Sequence, residues 1–132
     1  MSQENVEIVR RIYESVTGNT ELVRENFDPD FEVDASGSSA ESGVVRGFDA
    51  AEAALREYWT TFEDFHVEIE EIVHADDGLV VNVIRDSGRV KGSRAEVSNR
   101  YFHVWTFSRG RIVRLSSHTD RHEALEAAGL SE

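Results

Sequence analysis

The chain contains no cysteine, a single proline and a single methionine among its 132 residues, and far fewer cationic than anionic side chains. The lack of cysteine excludes disulfides, thiolate metal sites and thiol catalysis, and says nothing about compartment. With one proline and no internal repeat or low-complexity tract there is no linker, so residues 1–132 read as one domain, long enough to bury a core. No apolar run approaches the ~18 residues of a membrane span. The opening Met-Ser-Gln-Glu-Asn has neither the basic start nor the apolar stretch of a signal peptide, so the cytoplasm is the expected location. Fourteen Lys and Arg against 26 Asp and Glu leave a formal net charge of −12, a field that repels phosphate backbones. The basic residues between Arg85 and Arg114 alternate with acids near hairpin turns. Neither nucleic acid nor membrane is therefore expected as a partner.

What is present is a clear pattern of elements. Val6, Val9, Ile12, Tyr13 and Val16 follow at helical steps from Ser2 to the break at Gly18-Asn19. A short second helix is expected over 20–26, stopped by Asp28-Pro29. Phe31 to Asp34 alternates as a strand, and 35–43 is a serine- and glycine-rich loop. Asp49 and Glu52 have the spacing of a capping box for a third helix carrying Leu55, Tyr58, Trp59 and Phe62. Four long strands are expected next, over 65–74, 78–86, 93–107 and 111–119, with turns at Asp76-Asp77-Gly78 and Ser108-Arg-Gly-Arg111. A last helix starts near Arg121 with Asp120 as cap and ends at Gly129. Helices segregated on one face of a mainly antiparallel sheet make an α+β domain, and strong curvature of that sheet leaves a cone between the layers.

The richest stretch is Arg100-Tyr-Phe-His-Val-Trp-Thr-Phe107, because one strand face there carries Tyr101, His103, Trp105 and Phe107. Aromatic rings around one imidazole suit an apolar pocket with a polar group inside, or a packed core whose histidine bonds a neighbour. His103 is the first choice for an acid–base group, since an unperturbed imidazole titrates near neutral pH. Asp34 becomes a usable base if it points into the cone, although Phe31 and Val33 claim one strand face and leave Glu32 and Asp34 the other. Tyr13, Tyr58, Trp59 and Phe62 sit at spacings that serve equally as core or as pocket wall, with Tyr101 and Trp105 as further walls. Asn82, in phase with Val80 and Ile84, is placed to fix a substrate carbonyl or to face solvent or a partner subunit. Arg85 and Asp86 read as a solvated pair. The five histidines lack metal-ligand spacing, because a strand end separates His118 from His122 and eight residues separate His66 from His74. No phosphate loop or nucleophile elbow appears, so no metal and no cofactor is expected.

Several of these segments resemble a known family. Gly18…Phe27-Asp-Pro-Asp-Phe-Glu-Val-Asp34, Val45-Arg-Gly47 before an amphipathic helix, His103-Val-Trp-Thr-Phe…Gly110-Arg-Ile-Val-Arg-Leu115 and the ending Ala124-Leu-Glu-Ala-Ala-Gly-Leu130 are similar to the nuclear transport factor 2-like superfamily, and within it to the SnoaL-like group. The resemblance covers nearly the whole chain. It implies a cone-shaped roll: a strongly curved, mixed, mainly antiparallel sheet packed against three N-terminal helices, with a short C-terminal helix. The superfamily hosts isomerases, dehydratases, epoxide hydrolases, cyclases and non-catalytic binders, so fold alone does not name an activity.

The ketosteroid isomerase pattern is not kept. Its tyrosine falls on Arg11, its carboxylate base on Ala35 and its protonated aspartate on His103, so that mechanism is not expected. The epoxide hydrolase arrangement suggests Asp34, Arg85 and Asp120, and the scytalone dehydratase type suggests His103 with Asp34 and Tyr13 or Tyr58. The resulting expectation is a protein that binds a small apolar or polycyclic molecule in a conical pocket, with cofactor-free acid–base chemistry of one of these types. The alternative is a non-catalytic binding or dimerisation module. A homodimer through the sheet is expected by analogy, with Phe102 and Val104 as an apolar strip opposite His103.

Overall fold

The structure, a computed structural model, describes residues 2–18, 20–37 and 43–130. Part of the serine-rich loop and the Asn19 helix stop thus lie outside the described residues. In chain order the elements are α1 (Ser2–Thr17), a 3₁₀ turn (Arg24–Asn26), β1 (Phe27–Gly37), β2 (Val44–Arg46), α2 (Phe48–Trp59), β3 (Phe62–Ala75), β4 (Leu79–Val90), β5 (Glu96–Ser108), β6 (Arg111–His118) and α3 (Arg121–Ala127). Six strands form one curved, unclosed sheet in the order β2-β1-β6-β5-β4-β3. All pairings are antiparallel except β1 with β6, which makes the sheet mixed. The α+β class and the curved mixed sheet are as the sequence reading had them.

Four boundaries differ, each for a local reason. The expected second helix is a single 3₁₀ turn, so two helices rather than three precede the main sheet. Pro29 does not stop an element but lies inside β1, at the irregularity between Phe27 and Glu32 where the β1–β6 register shifts. The N-cap of α2 is Gly47, at φ +90°, and Asp49 instead accepts a hydrogen bond from Arg24 at 2.6 Å. α2 ends at Trp59, so Phe62 opens β3 instead of closing the helix. Other signals held. Asp76 Oδ1 accepts from the backbone N–H of Gly78 and Leu79, fixing the β3–β4 turn. Arg109 and Gly110 both have positive φ, as a two-residue type I′ hairpin between β5 and β6 requires. Asp120 caps α3 by accepting from the Glu123 N–H.

The strand period then sorts side chains between two faces. Val80, Ile84, Trp105, Phe107, Leu115, Phe31 and Val33 point into the concave side and pack against Val9, Ile12, Tyr13, Phe48 and Ala51 of the helices. On the convex side, Val81 and Val104 form a small second cluster with Ala124 of α3. The strip expected to stand open there is thus largely covered: Val104 is 3% exposed, and the Arg121 guanidinium lies 5.7 Å from the Phe102 ring centre. Leu55, Val67, Ile69, Tyr101 and His103 face inward yet remain only half-buried.

Candidate functional site

α1 carries Tyr13 one turn before its C-terminal end, and the period that buries Val9 and Ile12 aims this ring at the sheet. Opposite it, Asn82 of β4 and His103 of β5 are cross-strand partners, with Trp105 next along the same face. The four side chains meet at one atom. The Tyr13 hydroxyl lies 2.7 Å from His103 Nδ1, 3.0 Å from Asn82 Nδ2 and 3.1 Å from Trp105 Nε1.

Counting donors assigns the protons. The indole N–H and the amide NH₂ only donate, so they occupy the two lone pairs of the Tyr13 oxygen. Its own proton then goes to His103 Nδ1, which places the imidazole hydrogen on Nε2. Asn82 is fully buried, and its Oδ1 has no partner among the described residues.

Electrostatics fix the same protonation. Burial pushes the Tyr13 hydroxyl far above the ordinary phenol range, the bonds from Asn82 and Trp105 offsetting only part of that. Burial, with a smaller contribution from the charge of His118, pushes His103 down to about 3. At neutral pH both groups are uncharged. His103 is thus removed from the neutral titration that its residue type suggests, and what it offers the interior is a neutral N–H donor.

A groove of about 690 Å³ runs between α1 and β3 and touches the cluster at Tyr13 alone. Tyr13, Val67 and Ile69 form its apolar part, and Glu7, Arg10, Glu14 and Thr17 its rim. The volume falls within the range of small-molecule sites. Among the described residues no group of three His, Asp or Glu side chains is placed to hold a metal ion.

Of the residues singled out from sequence, Tyr13, Asn82, His103 and Trp105 are brought together, and Tyr101 stacks against His103 with ring centres 6.3 Å apart. Asp34 is not with them. It lies on the convex face, accepts from Ser36 and from Arg114 at 2.6 Å, and is held below its usual pKa chiefly by the Ser36 hydroxyl and also by Arg114. Asp34, Arg85 and Asp120 form no shared site: Arg85 bonds Glu70, and Asp120 caps α3. Arg11 is a surface residue paired with Glu7, so the tyrosine of the interior is Tyr13. Trp59 is buried beneath Arg56, while Phe62 packs with Tyr58 and Phe65.

Asp86 was missed. Read from sequence as solvated, it is 3% exposed, and its carboxylate accepts from the Tyr58 hydroxyl at 2.8 Å and from Asn99 Nδ2 at 3.3 Å. Its phase with Asn82 and Ile84 was the available signal. An arginine neighbour and the glycine two residues on disguised it as a turn.

The SnoaL-like domain family matches residues 9–115. Among curated proteins, none matches this sequence. Solved structures share the fold along almost the full length. Bal32a, from a soil-derived mobile gene cassette, superposes with a TM-score of 0.76 at 23% identity, covering 96% of both chains. A candidate SnoaL-like polyketide cyclase from Jannaschia sp. CCS1 gives 0.76 at 22% identity, covering 99% of this chain and 95% of that one. TerC, co-crystallised with polyporic acid, gives 0.72 at 19% identity, covering 93% and 98%. With the family matched over most of its length and the curved sheet and helices in place, the chain belongs to the SnoaL-like domain family.

Proposed function

We propose that the protein binds a small, largely apolar molecule bearing an oxygen function in its cone and acts on it by cofactor-free acid–base chemistry. The observation that carries this reading is the Tyr13 hydroxyl, on which His103, Asn82 and Trp105 converge in the interior. A neutral imidazole polarises a carbonyl or leaving oxygen by donating Nε2–H, and one held neutral at pH 7 does so without first losing a proton to solvent. Tyr13 fixes the ring and its tautomer, while Asn82 and Trp105 fix Tyr13. Such a donor suits an isomerase, dehydratase, cyclase or epoxide hydrolase step. TerC, which shares the fold, was co-crystallised with a small organic acid, polyporic acid. A cytoplasmic homodimer is part of the same proposal by family likeness, and sedimentation of the purified protein tests the dimer.

The test is an NMR titration of the histidines with apolar ketones and epoxides such as 2-tetralone and styrene oxide. The His103 Nε2 resonance is expected to shift on binding, and turnover is expected to fall by at least tenfold in His103→Leu. A ring that never responds to any compound would sink the reading.

One observation favours a second reading, a non-catalytic binding module. Among the described residues neither Tyr13 nor His103 hydrogen-bonds a carboxylate, so the cluster there holds a donor and no strong base. Binding without turnover across the same compounds would select it.

A further inference from the structure

The buried carboxyl of Asp86 plays no part in the Tyr13 cluster, yet it lies on the same inner face. Three cross-strand pairs of β4 and β5 follow one another there: Asp86 with Asn99, Ile84 with Tyr101, and Asn82 with His103. Among the described residues Asp86 bonds no cation. Its carboxylate accepts from two neutral donors, the Tyr58 hydroxyl and Asn99 Nδ2. Tyr58 comes from the last turn of α2, and its hydroxyl also bonds that of Tyr101. The protons of this chain run one way. An ionised carboxylate only accepts, so Tyr58 gives it its single hydrogen, and the bond between the two tyrosines uses the hydrogen of Tyr101. Tyr101 in turn lies beside His103, the two rings within 9° of parallel and their centres 6.3 Å apart.

We infer that Asp86, Tyr58 and Tyr101 form a positioning chain that sets the plane of the His103 ring, with the carboxylate as its anchor. This rests on the proposed function, in which the direction of the His103 Nε2–H bond matters, and adds the residues that aim it. The bond from Tyr13 to Nδ1 fixes one point of the imidazole. It leaves the ring free to turn about the line of that bond, and the parallel Tyr101 ring removes that freedom. Tyr101 is itself held at both ends, by its backbone in β5 and by its hydroxyl on Tyr58. A hydrogen bond accepted by an ion is about twice as strong as one between neutral groups, which suits an anchor. Holding a carboxyl there costs stability, because burial pushes Asp86 above its usual pKa. A simple tie between α2 and the sheet has no need of that charge.

The test reads His103 directly by NMR, in the full chain carrying isotope-labelled histidine. Tyr58→Phe and Tyr101→Phe each remove a hydroxyl and keep the ring. Both are expected to move the His103 Hδ2 and Hε1 resonances, and the double variant to move them no further than either alone, because the two hydroxyls share one bond. Asp86→Asn, whose oxygen still accepts from Tyr58 but without charge, should move them part of the way, and Asp86→Leu as far as Tyr58→Phe. In Tyr58→Phe, kcat on 2-tetralone or styrene oxide is expected to fall about tenfold with KM little changed. A lower urea midpoint in Tyr58→Phe with the His103 resonances unmoved would make the chain a structural tie and overturn the inference. Moved resonances in a protein that turns over none of the compounds would uphold the chain and sink the proposed function. Unmoved resonances in an active protein would do the reverse.

Discussion

On the concave face of β4 and β5, polar side chains are kept neutral and bonded to one another: Tyr13 with Asn82, His103 and Trp105. On the convex face of the same strands they are ions, with Glu70 bridging Arg85 and Arg100. Adjacent residues of one strand thus experience opposite solvents. Inside, burial raises the pKa of Tyr13 and lowers that of His103, each toward its uncharged form. Outside, the Arg100 hydrogen bond and then Arg85 hold Glu70 below its usual value, in its charged form. The difference teaches where polarity has consequences. A buried neutral group such as Tyr13 or Asn82 has no substitute partner, whereas an exposed ion exchanges its partner for water at little cost.

The sharpest way to break this contrast is acid. The unfolded chain protonates His103 near 6.5 and the folded one near 3, so between those values the unfolded state binds more protons. Stability is fully present above about pH 6.5 and declines as pH falls toward 3. Relative to His103→Gln, wild type should lose up to about 4 kcal/mol across that window by urea unfolding at successive pH values. Parallel curves would mean that the imidazole is solvated. Tyr13→Phe comes next. It strands three polar groups at once and should cost about 3 kcal/mol in denaturant, with ligand binding lost. Asn82→Leu should cost less, about 1 kcal/mol, because it also removes the unpaired Oδ1. On the outer face, Arg114→Gln leaves Glu32 and Asp34 without their shared partner and should cost about 1 kcal/mol, shrinking in high salt. Smallest of all, Arg100→Gln should leave the unfolding midpoint where it was. A larger effect from Arg100 than from Asn82 would reverse the comparison.

Much of the fold was legible because its signals are local. Helical spacing buried Val9, Ile12 and Tyr13, period-2 alternation sorted β4 and β5, and Asp76, Arg109-Gly110 and Asp120 marked turns and a cap through bonds spanning a few residues. The errors were local as well. Pro29 reads as a stop unless a register shift absorbs its missing N–H. Asp49 reads as a cap unless Gly47, with its positive φ, starts the helix earlier.

The site was legible only in part. Strand phase put His103 and Trp105 on one face of β5 and Asn82 with Val80 and Ile84 on one face of β4, and the register of the two strands made these a single surface. That Tyr13, 69 residues before Asn82 and 90 before His103, supplies the atom on which they converge was decided by how α1 crosses the curved sheet. The same is true of burial, the quantity that sets protonation. Residue type suggested a titrating His103, a basic Asp34 and a solvated Asp86. Tertiary packing left His103 neutral, turned Asp34 outward to Arg114 and enclosed Asp86 with Tyr58. Sequence determined the elements and the faces of the strands, because those depend on neighbours along the chain. Which face excludes water depends on elements that are distant in sequence, and only the tertiary structure decided it.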